Sequence, residues 1–341
     1  MTGYQENQPA LFHFITSKMS ARFNTTILFH GNCIDGWFSA YFAYASLQST
    51  NVQMFPIAPS QPNTWPSSET MEGTDVWLLD VSVPAHVREE WYEAGARTIQ
   101  CIDHHATAVE QWPAGSCPIH TDCCAALQTF RHFYPDQVVP EWLHSIDRVD
   151  RWVDVTYEDR CLREFLHDIA RLPVQHMIQD AIEQTYHFIL NMFNYPDSYK
   201  WYLDQGERRL QIKDAQLMRT IESKGKTIHI EKEHVAKWQL PTTWLGQKLF
   251  LMDTTDVVLD TTEASHLVFT KHPEIAVFIN YRNKTFYTAK KNGVMKQMVV
   301  YSARSSVPHH LNLTDGTIFR GHPTSAGASL VRGEATHFPF F

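Results

Sequence analysis

The chain is 341 residues long, which leaves room for two domains. Hydrophobic residues make up 43% and charged residues 19%, a soluble composition able to fill a sizeable core. A formal net charge of -8 argues against a surface built to grip a long nucleic-acid polymer, although a cleft holding metal ions and a few arginines still admits a short anionic substrate.

The first residues, 1–24, read as a flexible lead-in. They lack the Arg-rich character of a transit peptide, and none is expected. Thr25 to Phe29 (TTILF) is a short β-branched, apolar run and reads as a buried strand. It ends in the polar stretch His30-Gly31-Asn32-Cys33-Ile34-Asp35-Gly36, after which Trp37 to Leu47 reads as a helix. Val76 to Val81 is a second buried strand with Asp80 near its end, followed by a helix from Pro84 to Ala94 with Pro84 in the first turn. Thr98 to Ile102 is a third strand, ending at Asp103-His104-His105. Asp122 to Phe133 and Pro140 to Asp150 read as helices.

Strands alternating with helices imply an α/β fold with a parallel sheet covered on both faces. Ligands of such sheets sit beyond the carboxyl ends of the strands. His30, Asp35, Asp80, Asp103, His104 and His105 all fall at or just past those ends. The expected organisation is a catalytic domain over 25–157, a helical connector over 158–222 and a smaller α/β domain over 223–341. In the last, Lys248–Met252, Ile275–Tyr281, Thr285–Ala289 and Val299–Ser302 read as strands, Arg282-Asn283-Lys284 as a hairpin turn and Glu263–Phe269 as a helix.

The six cysteines, Cys33, Cys101, Cys117, Cys123, Cys124 and Cys161, form no C-x-x-C pair of a structural zinc site. Nor is a secreted disulfide framework expected in so long a chain. The expectation is a reducing, cytoplasmic setting with most of these thiols packed as small apolar groups. No apolar run approaches the roughly 20 residues that span a bilayer, so no membrane association is expected.

His30, Asp35, Asp80, His104 and an aspartate from Asp147 or Asp150 form a mixed carboxylate and imidazole set. Such donors suit Mn²⁺, Mg²⁺ or Fe²⁺ better than a thiolate-type zinc site. Two ions roughly 3.5–4 Å apart can clamp a phosphate, lower the pKa of a water and stabilise the leaving oxygen. Taken singly, an aspartate at a strand end more often caps a helix, and a lone histidine is more often structural. The arrival of the whole set at one sheet edge favours function. Asp147 and Asp150 are three apart, share one helix face, and either can reach an ion.

The motifs resemble those of the DHH phosphoesterase superfamily. Asp103-His104-His105 matches its signature, His30 to Asp35-Gly36 resembles the first motif, Asp80 the second, and Ser145-Ile146-Asp147-Arg148-Val149-Asp150 the fourth. Near the C-terminus, Gly321-His322-Pro323-Thr324-Ser325-Ala326-Gly327 resembles the GGHxxAAG motif of the DHH-associated domain, and Ser302-Ala303-Arg304-Ser305 the S-x-R-S strand before it. The resemblance covers roughly Thr25 to Leu330.

It implies a two-metal centre of Mn²⁺, Mg²⁺, Fe²⁺ or Co²⁺. His30 and Asp80 would hold one ion; Asp35, Asp80, His104 and Asp147, the preferred aspartate of the fourth motif, would hold the other. Asp103 and His105 would be catalytic, with His105 near the scissile phosphate. Arg304, Ser305, Gly321, His322 and Gly327 would bind substrate, the glycines letting backbone approach an anion closely. Two departures stand out. Cys33 replaces the aspartate that family members usually carry two residues before Asp35, and the spacing from His30 is compressed. A thiolate ligand, a weakened first ion and a one-metal site all fit that change. Arg320 stands where the first glycine of GGH is common.

The function implied is hydrolysis of phosphoester bonds in short oligonucleotides, linear dinucleotides or phosphorylated nucleotides, as in the short oligoribonucleases of the family. A pyrophosphatase or polyphosphatase is the alternative, and the Gly321–Gly327 motif counts against it. A DHH-fold binding or structural protein with an impaired centre is a third reading, supported by Cys33 alone. The chain leaves monomer and homodimer open.

Overall fold

The computed structural model describes residues 23–47, 51–58, 65–112, 119–167, 188, 191, 195, 198–238, 240, 242–257, 259–286, 296–306, 320–322 and 325–331. The first 22 residues, most of the expected lead-in, and Cys117 lie outside these. The chain divides into two units, Met1–Leu210 and Gln211–Phe341.

In the first unit, β1 (Thr25–His30), β2 (Val52–Ile57), β3 (Asp75–Leu79) and β4 (Thr98–Ile102) form a parallel sheet in the order β2-β1-β3-β4. Its strands are apolar on both faces because both faces are covered. Ile27, Phe29, Trp77, Leu79 and Ile102 pack with Trp37, Ala40 and Ala43 of α1 (Ile34–Leu47). The alternate residues Leu28, Val76, Leu78 and Cys101 pack on the other side with Trp91 of α2 (Ala85–Glu93). This is the period of two that a strand imposes. Each such side chain contributes about 1.5–3 kcal/mol on burial, so the apolar runs fix which segments become strands. Pro84 caps α2 from outside rather than occupying its first turn.

β2 is a strand that the sequence reading does not anticipate. It carries Gln53 and Pro56, and it lies at the sheet edge, where a proline's missing N–H need not break a ladder. Four further helices follow, α3 (Ala106–Gln111), α4 (Ala125–Phe133), α5 (Glu141–Arg151) and α6 (Tyr157–Leu166). Phe38 and Phe42 of α1 meet Leu127 and Phe130 of α4, Trp142 and Ile146 of α5, and Leu162 of α6 in one core. Thr156 and Asp159 form a capping box at the start of α6.

The expected connector over 158–222 is therefore not one separate piece. Leu162 and Leu166 of α6, and Tyr202 of α7 (Ser198–Lys224), belong to the first unit's core. The division at Leu210/Gln211 falls inside α7.

The second unit holds β5 (Gly225–His229), α8 (Lys232–Trp238), β6 (Lys248–Asp253), α9 (Thr261–Lys271), β7 (Ile275–Phe286), β8 (Lys296–Ser305), β9 (Arg320–His322) and β10 (Ser325–Val331). Its sheet is mixed, in the order β5-β6-β7-β8-β10-β9, with β6 and β7 parallel and the other pairs antiparallel. Leu249 and Leu251 face one core with Trp244 and Tyr301. Phe250 and Met252 face the other, with Ala264 and Val268 of α9. The hairpin turn expected at Arg282-Asn283-Lys284 does not occur. β7 runs through it, with Arg282 opposite Val300 and Lys284 opposite Met298. Among the described residues no helix is long and apolar enough to cross a membrane.

Candidate metal centre

The sheet reverses its direction of winding at β1, since the chain passes from β1 to β2 on one side and places β3 on the other. A crevice opens at such a point beyond the carboxyl ends of the strands. The register levels three residues there. Phe29 pairs with Leu79 and Leu79 with Ile102, so His30, Asp80 and Asp103 follow side by side. Asp80 has a left-handed backbone, with φ of 56°, a conformation uncommon outside glycine and frequent where a side chain is aimed for function. Its backbone N–H donates to the Ile102 carbonyl at 2.9 Å, which holds it level with β4.

Asp80 is 1% exposed and faces two groups. Oδ2 lies 3.2 Å from His30 Nδ1 and 2.7 Å from Cys33 Sγ. Oδ1 lies 3.3 Å from His104 Nε2 and 3.8 Å from His105 Nδ1. His30 and Cys33 are brought together by Gly36. A Cβ there would stand 2.1 Å from the His30 carbonyl oxygen, so only glycine lets the first turn of α1 sit against the end of β1.

Asp35, in the first turn of α1, is buried and serves a second helix. Its Oδ2 and Oδ1 accept the backbone N–H groups of Ala125 at 2.9 Å and Ala126 at 2.6 Å. These are free N–H groups of the first turn of α4, whose own N-cap residue, Cys124, supplies no side-chain bond. Fixed in this way, Asp35 Oδ2 lies 3.6 Å from His104 Nε2.

The fourth motif delivers its other aspartate. Asp150 Oδ2 lies 3.2 Å from His104 Nε2. Asp147, the residue preferred from sequence, instead takes both donors of Arg151 at 2.8 and 2.7 Å and the Cys124 N–H at 2.6 Å. The arginine four residues later turns Asp147 away from His104 and onto the start of α4. That i,i+4 pair is visible in the sequence and is the signal that separates the two.

Asp103 is buried at the end of β4. Its Oδ1 accepts the N–H of His104 at 2.7 Å, the N–H of His105 at 3.1 Å and His105 Nδ1 at 2.7 Å. The His105 ring is half-exposed, with Nε2 the nitrogen left over from this bond. Gln128, which the sequence reading passes over, ties the region together. Its amide nitrogen donates to the carbonyls of Asp103 at 3.3 Å, His120 at 2.7 Å and Cys123 at 2.8 Å. A glutamine inside an amphipathic helix carries no signal of that role.

Three sets of ligand atoms each lie within 4.8 Å of one another: His30, Cys33 and Asp80; Asp35, His104 and Asp150; and Asp80, Asp103, His104 and His105. Burial and the charges of Asp80 and Asp150 push the Asp35 carboxyl well up. Burial and Asp80 push Asp150 up to about 6. Burial opposes the charge of His104, yet its bond to Asp80 and the charges of Asp35 and Asp150 outweigh this and raise it to about 10. Burial, then Asp80, Asp35 and Asp150, push the Cys33 thiol well up. Packed carboxylates of this kind repel one another until a cation neutralises them. Asp103 Oδ2 is also buried without a hydrogen-bond partner among the described residues, and Asp80 Oδ1 faces the His104 and His105 rings. An unmet buried acceptor costs on the order of 1–3 kcal/mol, and more for a charged one. The donor set and the orphaned Asp103 oxygen therefore fit divalent ions, with Asp80 shared between two sets.

The C-terminal motifs are neighbours in the second sheet. Ser302, Ala303 and Arg304 of β8 pair with Gly327, Ala326 and Ser325 of β10, and these pair with Arg320, Gly321 and His322 of β9. Arg304, Ser325 and His322 thus share one row of the backbone ladder; Pro323 and Thr324 lie outside the described residues. The half-buried Arg304 donates to the Ala303 carbonyl at 2.9 Å and to Thr262 Oγ1 at 3.2 Å, beside the start of α9. Ser305 Oγ is buried without a partner among the described residues.

No family model and no curated protein matches the chain. Solved structures do. The pGpG-specific phosphodiesterase PggH from Vibrio cholerae is 14% identical over 92% of this chain and 95% of its own, with a TM-score of 0.48. RecJ from Thermus thermophilus, in complex with Mn²⁺, is 12% identical over 91% of this chain and 50% of its own, with a TM-score of 0.43. An uncharacterized protein from Helicobacter pylori is 12% identical over 90% and 93%, with a TM-score of 0.39. Likenesses this low add nothing to what the chain's own residues say about chemistry. The motifs in order along the chain, the parallel sheet, and Asp103, His104 and His105 clustered at the sheet edge around Asp80 keep the chain's resemblance to the DHH superfamily in place on its own residues.

Proposed function

We propose that the chain is a metal-dependent phosphoesterase acting on short oligonucleotides, linear dinucleotides or phosphorylated nucleotides. The observation that carries this reading is Asp80, whose two oxygens face two separate ligand groups at the carboxyl edge of the sheet. When bound, Mn²⁺ or a similar ion at each group supplies charge for the phosphate and acidity for an attacking water. His30 and Asp80 would hold one ion. Asp35, Asp80, His104 and Asp150 would hold the other, Asp35 kept in place by the N–H groups of α4.

His105 is the general acid. Asp103 takes its Nδ1 proton in a hydrogen bond at 2.7 Å, which fixes the ring and leaves Nε2 to protonate the leaving oxygen. Arg304, with Ser305, Gly321, His322 and Gly327, binds substrate. Its planar fork suits a phosphate, and two of its five donors already hold it in place. The net charge of -8 favours short anionic substrates over long polymers.

A substrate panel with Mn²⁺ tests this. It comprises a linear dinucleotide, short oligoribonucleotides, a 3′-phosphoadenosine nucleotide and pyrophosphate. Cleavage of a nucleotide ester that depends on Mn²⁺ and vanishes in Asp80→Asn is expected. Hydrolysis of pyrophosphate alone would replace this reading with the pyrophosphatase one. No turnover by a fully metal-loaded protein would make the chain a binding protein.

A further inference from the structure

Cys33 is the departure that the family resemblance does not absorb, and its surroundings are specific. Its sulfur lies 2.7 Å from Asp80 Oδ2, and His30 Nδ1 lies 3.2 Å from that same oxygen. The three residues place one ligand atom each within 4.8 Å of the others. Asp80, common to this set and its neighbour, is 1% exposed. The other described cysteines, Cys101, Cys123, Cys124 and Cys161, are buried, whereas Cys33 is half-buried and faces the crevice carboxylate.

The backbone also holds the sulfur in place. α1 starts at Ile34, so Cys33 stands at its N-cap position. The N–H of Gly36 donates to Cys33 Sγ at 3.1 Å, the bond that a serine or aspartate makes when it caps a helix. A cysteine here does locally what the family's usual aspartate does, with a softer atom.

Resting on the metal-centre reading above, we propose that Cys33 is a thiolate ligand of the first ion, together with His30 and Asp80, and that this site therefore selects a borderline ion such as Zn²⁺, Fe²⁺ or Co²⁺ over Mg²⁺. On binding, the S–H bond breaks, the proton leaves to solvent and the sulfur electron pair goes to the ion. No oxidant or reductant takes part. Thiolate favours the borderline ions and discriminates against Mg²⁺, which prefers all-oxygen shells. The second group, with carboxylates and His104, carries no sulfur and stays tolerant of Mn²⁺ and Mg²⁺.

The test is optical and does not depend on turnover. The full chain, reduced and stripped of metal, is loaded with Co²⁺, and bound cobalt is measured by elemental analysis. Wild type is expected to show thiolate-to-cobalt charge-transfer absorption in the near ultraviolet that excess Mg²⁺ does not bleach. Cys33→Ser should lose the band and bind the ion more weakly, on the order of tenfold or more, as disturbed metal shells do. Cys33→Asp should keep the ion without the band and become sensitive to Mg²⁺, and its binding shows that the site still folds. Cobalt that binds wild type and is lost in Asp80→Asn, but gives no band, overturns the proposal and leaves the metal centre standing. A band that survives in Cys33→Ser overturns it as well. Wild type that binds no cobalt at all brings down both readings together.

Discussion

The backbone N–H of Ala126 donates to Asp35 Oδ1 at 2.6 Å, across 91 positions of sequence. With the Ala125 bond to Oδ2, one carboxylate caps α4 while lying 3.6 Å from His104 Nε2. Ligand geometry and helix stability are therefore one property. Asp35→Asn should lose roughly 2–3 kcal/mol of stability in Mn²⁺, since bonds to a charged group contribute about 1.5–3 kcal/mol each and the amide keeps one acceptor. In metal-free protein the loss should be smaller, because the substitution also removes repulsion from Asp80 and Asp150. Urea unfolding with and without Mn²⁺ measures the two losses, and equal values would contradict the shared role.

Asp150 and Asp147 should separate cleanly. Asp150→Asn is expected to weaken Mn²⁺ binding on the order of tenfold or more with little change in the urea midpoint. Asp147→Asn breaks the paired bonds to Arg151 and loosens the cap on Cys124, so it should lower the midpoint and leave Mn²⁺ affinity nearly unchanged. Calorimetric titration beside urea unfolding reads both. The opposite pattern would return Asp147 to the centre.

These two aspartates also mark what the sequence makes legible. The strand ends are readable because β1, β3 and β4 are apolar runs buried on both faces and each stops at a polar residue, His30, Asp80 or Asp103. Spacing alone cannot rank Asp147 against Asp150, since both lie on one stripe of α5. Arg151 decides between them, and its effect depends on where the start of α4 lies. The capping by Asp35 joins residues too far apart in sequence for any local pattern. β2 hides behind Pro56, which is tolerated at an edge. Arg282-Asn283-Lys284 reads as a turn locally, but pairing with β8 carries the strand through it. Local propensity loses in both cases to tertiary pairing.

The metal-free centre should lose stability as pH rises. Asp150, pushed up to about 6 by burial and Asp80, holds its proton more tightly folded than unfolded. Its favourable contribution at acid pH fades between the ordinary value of 3.8 and about 6. His104, raised to about 10 against the pull of burial, contributes fully below 6.5 and loses that contribution as pH passes through about 10. An ion must displace both protons. Mn²⁺ affinity should therefore climb with pH, and binding should release protons at about pH 8 and more of them at about pH 5. Titrations in buffers of different ionisation enthalpy count them. Binding that is flat in pH would contradict this arrangement.

Gly36 and Gly206 offer a matched pair. A Cβ on Gly36 would meet the His30 carbonyl at 2.1 Å, and one on Gly206 the Cys161 carbonyl at 1.8 Å. Both contacts are with backbone, so Gly36→Ala and Gly206→Ala should each cost about 1–3 kcal/mol or more, as overpacking does. Only Gly36→Ala pushes His30 away from Asp80. It alone should weaken metal binding in the folded protein. Equal loss of Mn²⁺ affinity in both variants would mean that general loosening, rather than the position of His30, is being measured.

The bond to Asp103 raises the His105 pKa; burial opposes this, and the nearby Asp80 adds to the rise. A general acid must hold its proton, so turnover should fall as pH rises through the His105 pKa, and the raised value extends activity toward alkaline pH. His105→Asn should lower kcat by about 10²–10⁴ while leaving Mn²⁺ affinity nearly unchanged, because His104 rather than His105 reaches Asp35 and Asp150. Asp103→Asn keeps a side chain of the same shape but removes the charge that supports His105. Its basic limb of kcat should therefore move to lower pH. A residue that only held the strand end would lower kcat at every pH without moving the limb. If Asp103→Asn leaves the limb in place, or if His105→Asn costs metal affinity as much as it costs kcat, His105 is a ligand and not the acid.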